Sequence, residues 1–200
     1  MRRITIYAMG GIMGLFLWAC SEEQEVKIST GAKNADEILK QAESVDRASY
    51  AGLEDVFLDT KHLYTNKDDK LTLFIFARNN CFYCDKLKGD IAQNSQLKQT
   101  LQERFLPYYI NSSYTKKHIL YRGEDTQSFN THQLIESYVK SPLRPTPTLV
   151  FVDTQGKSIY ELPGYLPSES MIKILDYMAS GKWKGKDVKQ INNEIREELL

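Results

Sequence analysis

The chain has 200 residues, 42% of them hydrophobic and 26% charged, enough for one domain with a real core and short for two. Lys and Arg number 26 and so do Asp and Glu; without residues 1–19 the balance would be 24 basic to 26 acidic, about −2. That balance excludes the basic footprint of a nucleic-acid binder and argues against a polybasic membrane surface.

Arg2 and Arg3 precede an almost wholly apolar run from Ile4 to Ala19. The run is shorter than the roughly 20 apolar residues of a comfortable membrane span and has the charged and hydrophobic regions of a secretory signal. It ends in Leu17-Trp18-Ala19-Cys20, which resembles a bacterial lipobox, although Trp18 stands where a small or hydroxylated residue is usual. The resemblance implies a signal peptide at 1–19 and a lipid on Cys20, hence a bacterial cell-envelope protein facing the periplasm or the exterior. An uncleaved signal anchor, or a plain signal peptide with an incidental Cys, are the alternatives. Several acyl chains anchor stably where one is marginal. Residues 20–33 then read as an acylated Cys and a flexible polar tether with Glu22, Glu23 and Glu25.

From Asn34 to Tyr50 the apolar and small residues Ala35, Ile38, Leu39, Ala42 and Val45 keep helical spacing. Leu53, Val56, Phe57 and Leu58, followed by His62-Leu63, suggest a second helix before a turn at Asn66–Asp69. Leu71–Ala77 is a near-continuous apolar run of strand length, the pattern of a strand covered on both faces. It hands over through Arg78-Asn79-Asn80 to Cys81-Phe82-Tyr83-Cys84 and a helical pattern at Leu87, Ile91, Leu97 and Leu101, with a kink or break expected at Gly89 or Asn94-Ser95. Phe105–Ile110 is a second strand. Residues 112–129 lie in a polar stretch with no clear period. Thr131 reads as the N-cap of a helix through Val139. Arg144–Asp153 is a strand bounded by Pro145 and Pro147, with a hairpin turn at Thr154–Lys157 leading into Ser158–Leu162. Gly164 precedes a helix over Ser168–Met178, and 183–200 reads as a helical C-terminal extension. Alternating elements closed by a hairpin indicate an α/β fold: a central mixed sheet flanked by helices, over about 34–182.

The chemistry lies in Cys81 and Cys84. Thiolate is the nucleophile, and a helix N-terminus favours it through unpaired N–H groups and the helix dipole. Cys81 would attack; Cys84, one turn on, would resolve the mixed disulfide, and no cofactor is called for. Half a zinc site is the first alternative, but His62, His118 and His132 are scattered and no second Cys pair exists. An inert disulfide is the second, although so short a loop staples little.

A strand, a C-x-x-C at a helix start and Thr146-Pro147 heading a later strand resemble the thioredoxin fold. The resemblance implies a cis Pro147 facing the dithiol, and a Thr146 backbone that pairs with an extended substrate segment like an added strand. More narrowly, Thr146–Lys157 and Leu162–Leu166 resemble exported thioredoxin-like proteins of the SoxW kind, over about residues 50–180.

The sequence also departs from that pattern. Ile75 stands six residues before Cys81, where many thioredoxins carry a buried acid, so a slower resolution step is expected. Phe82-Tyr83 is aromatic, and both side chains are expected to contact substrate together with Thr146 and Pro147. Residues 112–129 form an insertion whose Tyr114, His118, Tyr121 and Arg122 offer a partner surface, with a solvated excursion as the plainer reading. Lys86 and Lys88 either favour the thiolate or form a solvated face.

The resemblance implies a protein thiol–disulfide oxidoreductase working as a reductase. Its partners would be disulfide-containing or dithiol proteins, such as apocytochrome thiols, scrambled disulfides or a sulfur-oxidation carrier, with a membrane electron donor of the DsbD or CcdA kind. A disulfide-forming oxidase is the nearest rival. A non-catalytic binding or chaperone lipoprotein, using Phe82, Tyr83 and Tyr165 as a peptide patch, is the other.

Overall fold

The computed structural model describes residues 35–65 and 67–199. The segment expected to hold the signal peptide, Cys20 and the tether lies outside the described residues.

The apolar run Leu71–Ala77 forms strand β2 at the centre of a four-stranded sheet, after α1 (Ala35–Ala48) and the short β1 (His62–Tyr64). Its neighbours are β3 (Phe105–Asn111), parallel, and β6 (Thr148–Val152), antiparallel; β7 (Ser158–Pro163) pairs with β6, giving the order β3-β2-β6-β7. Alternation along β2 sends Leu73, Ile75 and Ala77 into one hydrophobic cluster and Phe74 and Phe76 into another. The strand is continuously apolar because both faces are covered. The first cluster takes Leu87 and Ile91 from α2 (Phe82–Gln93), Leu97 and Leu101 from α3 (Ser95–Arg104) and Ile174 and Leu175 from α5 (Ser168–Ala179). Ile191 and Ile195 of α6 (Val188–Leu199) close it. The predicted helix break falls at Asn94, which caps both helices: its N–H donates to Asp90 O, and its side chain accepts the Leu97 N–H.

Several sequence expectations are corrected. Leu53, Val56 and Phe57 do not build a second helix; residues 49–61 run as successive turns that drop these side chains into the first cluster, and His62–Tyr64 is a strand. Within 112–129, the expected featureless excursion is a hairpin, β4 (Lys117–Arg122) and β5 (Asp125–Asn130), paired to β1 in a second sheet of order β1-β4-β5. Leu120, Phe129 and Leu63 cover the far face of the central sheet together with Leu134 and Tyr138 of α4 (Thr131–Tyr138). The cap of α4 is Asn130, one residue earlier than expected, in a capping box with Gln133.

A buried polar network ties the hairpin to α1. Lys116 Nζ lies 2.9 Å from Asp46 Oδ2, both side chains 6% exposed, and Thr60 Oγ1 donates to the same carboxylate oxygen. His118, 1% exposed, is enclosed here and offers no partner surface. Its Nδ1 is 2.7 Å from the Thr60 carbonyl, which can only accept, so Nδ1 carries the proton and Nε2 accepts from Thr131 Oγ1 at 3.0 Å. Burial holds the His118 pKa below the ordinary histidine value, opposed by the Thr60 carbonyl. The unfolded chain therefore takes up this proton first, and stability is expected to fall as pH drops below about 6.5. Urea midpoints measured between pH 5 and 8 check this; His118→Gln should flatten the slope.

Candidate functional site

β2 ends at Ala77 and the chain turns through Arg78–Asn80, with Asn80 at φ 52, so that Cys81 arrives as the N-cap of α2. Its Sγ accepts the Cys84 N–H at 3.1 Å, and its carbonyl accepts from Cys84 and Asp85. The first turn of the helix thus aims the Cys84 N–H at this sulfur, and the positive end of the helix dipole favours negative charge there. Cys81 and Cys84 are joined as a disulfide, 6% and 1% exposed, so Cys81 is the more accessible.

Across from them the Thr146–Pro147 peptide bond is cis. Thr146 Oγ1 donates toward Cys81 Sγ at 3.3 Å, and the Thr146 carbonyl oxygen stands 3.3 Å from the same sulfur. In the reduced form that carbonyl is positioned to accept from a Cys81 thiol. The loop is held from the far side by Gly164, whose N–H donates to Pro147 O at 2.8 Å from a φ of 91, a conformation that glycine adopts without strain.

Phe82 and Tyr83 are 74% and 54% exposed on the outer side of the motif. Tyr83 stacks on Tyr165, and the Tyr165 hydroxyl donates to Asp90 Oδ2. Loss of water and that carboxylate hold the Tyr165 pKa above its ordinary value. Lys86 lies 3.9 Å from Asp90 and above the Tyr165 ring; Lys88 pairs with Asp85 at 3.1 Å and donates to Ser49 O. Both ammonium groups are engaged away from the Cys81 sulfur.

Sequence reading missed the bracing of the Cys81 loop. Asn79 N–H donates to Ser113 Oγ, Asn79 Nδ2 to the Tyr114 hydroxyl, and Asn111 Nδ2 to Asn79 Oδ1. These polar residues meet only because β3 runs parallel to β2 and ends beside it, and no periodic signal marks them. Tyr114 thus braces this loop, while Tyr121 stacks on Tyr64 and His62 some distance along the hairpin. Among the described residues no three His, Cys, Asp or Glu side chains group as a metal site.

Ile75 is 1% exposed, paired across β2–β3 with Tyr109. With an alkyl group where an acid would shuttle the Cys84 proton, resolution of a mixed disulfide is expected to be slower at neutral pH than in Ile75→Asp. Quench-trapped single-turnover kinetics measure both rates; equal rates contradict the expectation.

The Thioredoxin-like domain family matches residues 59–179. This chain belongs to that family. A thioredoxin-fold protein from Helicobacter pylori is similar at 36% identity and a TM-score of 0.70, over 77% of this chain and 96% of that one. The C-terminal domain of DsbD from Neisseria meningitidis, in its reduced form, is similar at 17% identity and a TM-score of 0.37, over 66% and 92% of the two chains. A disulphide isomerase from Xylella fastidiosa is similar at 14% identity and a TM-score of 0.36, over 84% and 92%. No curated protein matches the sequence. Within the thioredoxin-like frame, the Cys81–Cys84 pair occupies the strand-to-helix junction opposite the cis Pro147.

Proposed function

We propose that the protein is a cell-envelope thiol–disulfide oxidoreductase that reduces protein disulfides. The observation that carries this reading is the Cys81 sulfur itself: N-cap of α2, bonded to Cys84 and in contact with Thr146 of the cis-proline loop. In the reduced protein the Cys81 thiolate attacks one sulfur of a substrate disulfide; the S–S bond breaks, and the other substrate sulfur leaves as a thiolate that takes up a proton. Cys84, giving up its proton to water, attacks Cys81 Sγ and releases the second substrate thiol. The substrate gains two electrons and two protons, and the protein is left as the Cys81–Cys84 disulfide. Thr146 and Pro147 face the incoming segment, and Phe82 and Tyr83 supply apolar contact beside it.

A membrane dithiol donor of the DsbD or CcdA kind would return the two electrons, which a reductant in an oxidising compartment requires. The activity is tested by turnover of a protein disulfide with dithiothreitol as donor; no acceleration over dithiothreitol alone would contradict the reading.

The envelope location rests on the Arg2–Ala19 signal pattern and on Cys20 as the lipid-bearing residue. Cys20→Ser is expected to move the protein from the membrane to the soluble fraction. Membrane attachment that survives the substitution contradicts the lipid anchor.

A further inference from the structure

We propose that the cavity behind the Thr146–Pro147 loop is a side-chain pocket for the protein substrate. It selects an extended segment with a bulky apolar residue and a carboxylate close to the disulfide under attack. The inference rests on the exchange reaction above and names what that reaction takes.

The cavity measures about 230 Å³ and lies between the end of β2, α4 and the loop that enters β6. Its apolar lining comes from Phe76 and Val139, both buried, and from the half-buried Ile135 and Pro145. An apolar cavity of about 150 Å³ already holds a benzene ring, so a Leu, Met or Phe side chain fits this one.

Thr146 belongs to both places. It lines the cavity, and its Oγ1 and carbonyl oxygen stand 3.3 Å from Cys81 Sγ. An extended chain advances about 3.3 Å per residue. A side chain entering the pocket therefore hangs from a substrate residue one or two positions from the cysteine that meets Cys81.

Arg144 is the one permanently charged side chain in the cavity lining, and its guanidinium makes no ion pair or hydrogen bond among the described residues, whereas His132 lies 3.6 Å from Glu136. Arg144 is exposed at φ 42, a conformation unusual outside glycine and asparagine. Leu143, beside it in sequence, is 91% exposed, a further apolar contact for a passing chain. A carboxylate flanking the apolar residue complements Arg144.

The test uses the full oxidised chain and ten-residue peptides in which Ser replaces the substrate Cys, so that no covalent step contributes. One peptide carries Leu and Asp beside the Ser, a second Ala and Asp, a third Leu and Lys. By titration calorimetry the Leu–Asp peptide is expected to bind about tenfold more tightly than either of the others. Arg144→Glu should invert the preference for Asp over Lys. Arg144→Asn, which tolerates the local backbone, should erase it, and Ile135→Trp, filling the cavity, should erase the preference for Leu over Ala. Equal affinities for all three peptides, or preferences untouched by these variants, overturn the proposal. Discrimination by a protein that turns over no disulfide would uphold the pocket and contradict the exchange reading; turnover without discrimination would overturn the pocket alone.

Discussion

Cys81→Ala is expected to abolish protein-disulfide turnover, by on the order of 10³-fold or more, while Cys84→Ala leaves a protein that still attacks and then stalls. The two substitutions differ because the two sulfurs differ in place. Cys81 caps α2, receives the Cys84 N–H and is the more accessible; Cys84 is 1% exposed beneath it. With Cys84 gone, the covalent adduct at Cys81 has no internal resolving thiol, so mixed disulfides should accumulate and appear as shifted bands on non-reducing gels that dithiothreitol collapses. Cys81→Ala should give no such bands. Intact function in Cys81→Ala would point instead to a binding module built on Phe82, Tyr83 and Tyr165.

The second large effect concerns stability. Asp46→Asn leaves the buried Lys116 ammonium without the carboxylate it bonds, and Lys116→Met leaves the Asp46 carboxylate buried without its ammonium partner. Breaking a buried pair from one side costs about 3–5 kcal/mol. For a domain of this size that is a fall in Tm of about 6–20 °C. Replacing both partners by apolar residues of similar volume should recover much of the loss, since two buried charges lose their water and gain only each other. Thermal unfolding of the two single variants and the double variant makes the comparison. A single variant as stable as the parent would show that α1 is not held by this pair. Because the pair joins α1 to the segment leading into β4, its loss is also expected to increase hydrogen exchange in α1 and β4 before the central sheet.

Much of the frame was legible because it follows from periodicity. The apolar run Leu71–Ala77 announced a doubly covered strand, and the Thr146-Pro147 step with the Thr154–Lys157 turn announced the β6–β7 hairpin, whose Asp153 carboxylate accepts the N–H groups of Gln155 and Lys157. The handover from strand to helix at Cys81 was readable from spacing alone. Other parts were hidden for physical reasons. Leu53, Val56 and Phe57 recur as a helix would require, yet consecutive turns present the same side chains to the same core. In β4 one of the two fully buried positions is filled by His118, and β5 carries one apolar residue, Phe129, among polar neighbours. A period-two signal cannot survive that. The buried Asp46–Lys116 pair spans 70 positions and has no local signature at all. At the site, the sulfurs and the proline loop were readable, whereas the Asn79–Asn111–Ser113–Tyr114 bracing and the Thr146 cavity exist only once β2, β3 and β6 lie side by side.

The measurement that bears most directly on the dithiol reading is the reduction potential of the purified protein, equilibrated in dithiothreitol or glutathione buffers and read by thiol alkylation. A single two-electron transition near about −270 mV, the range of thioredoxin, is the expected result and fits a reductase fed by a dithiol donor. A transition near about −120 mV would reverse the direction and make the protein an oxidase. No two-electron transition would contradict the dithiol reading itself.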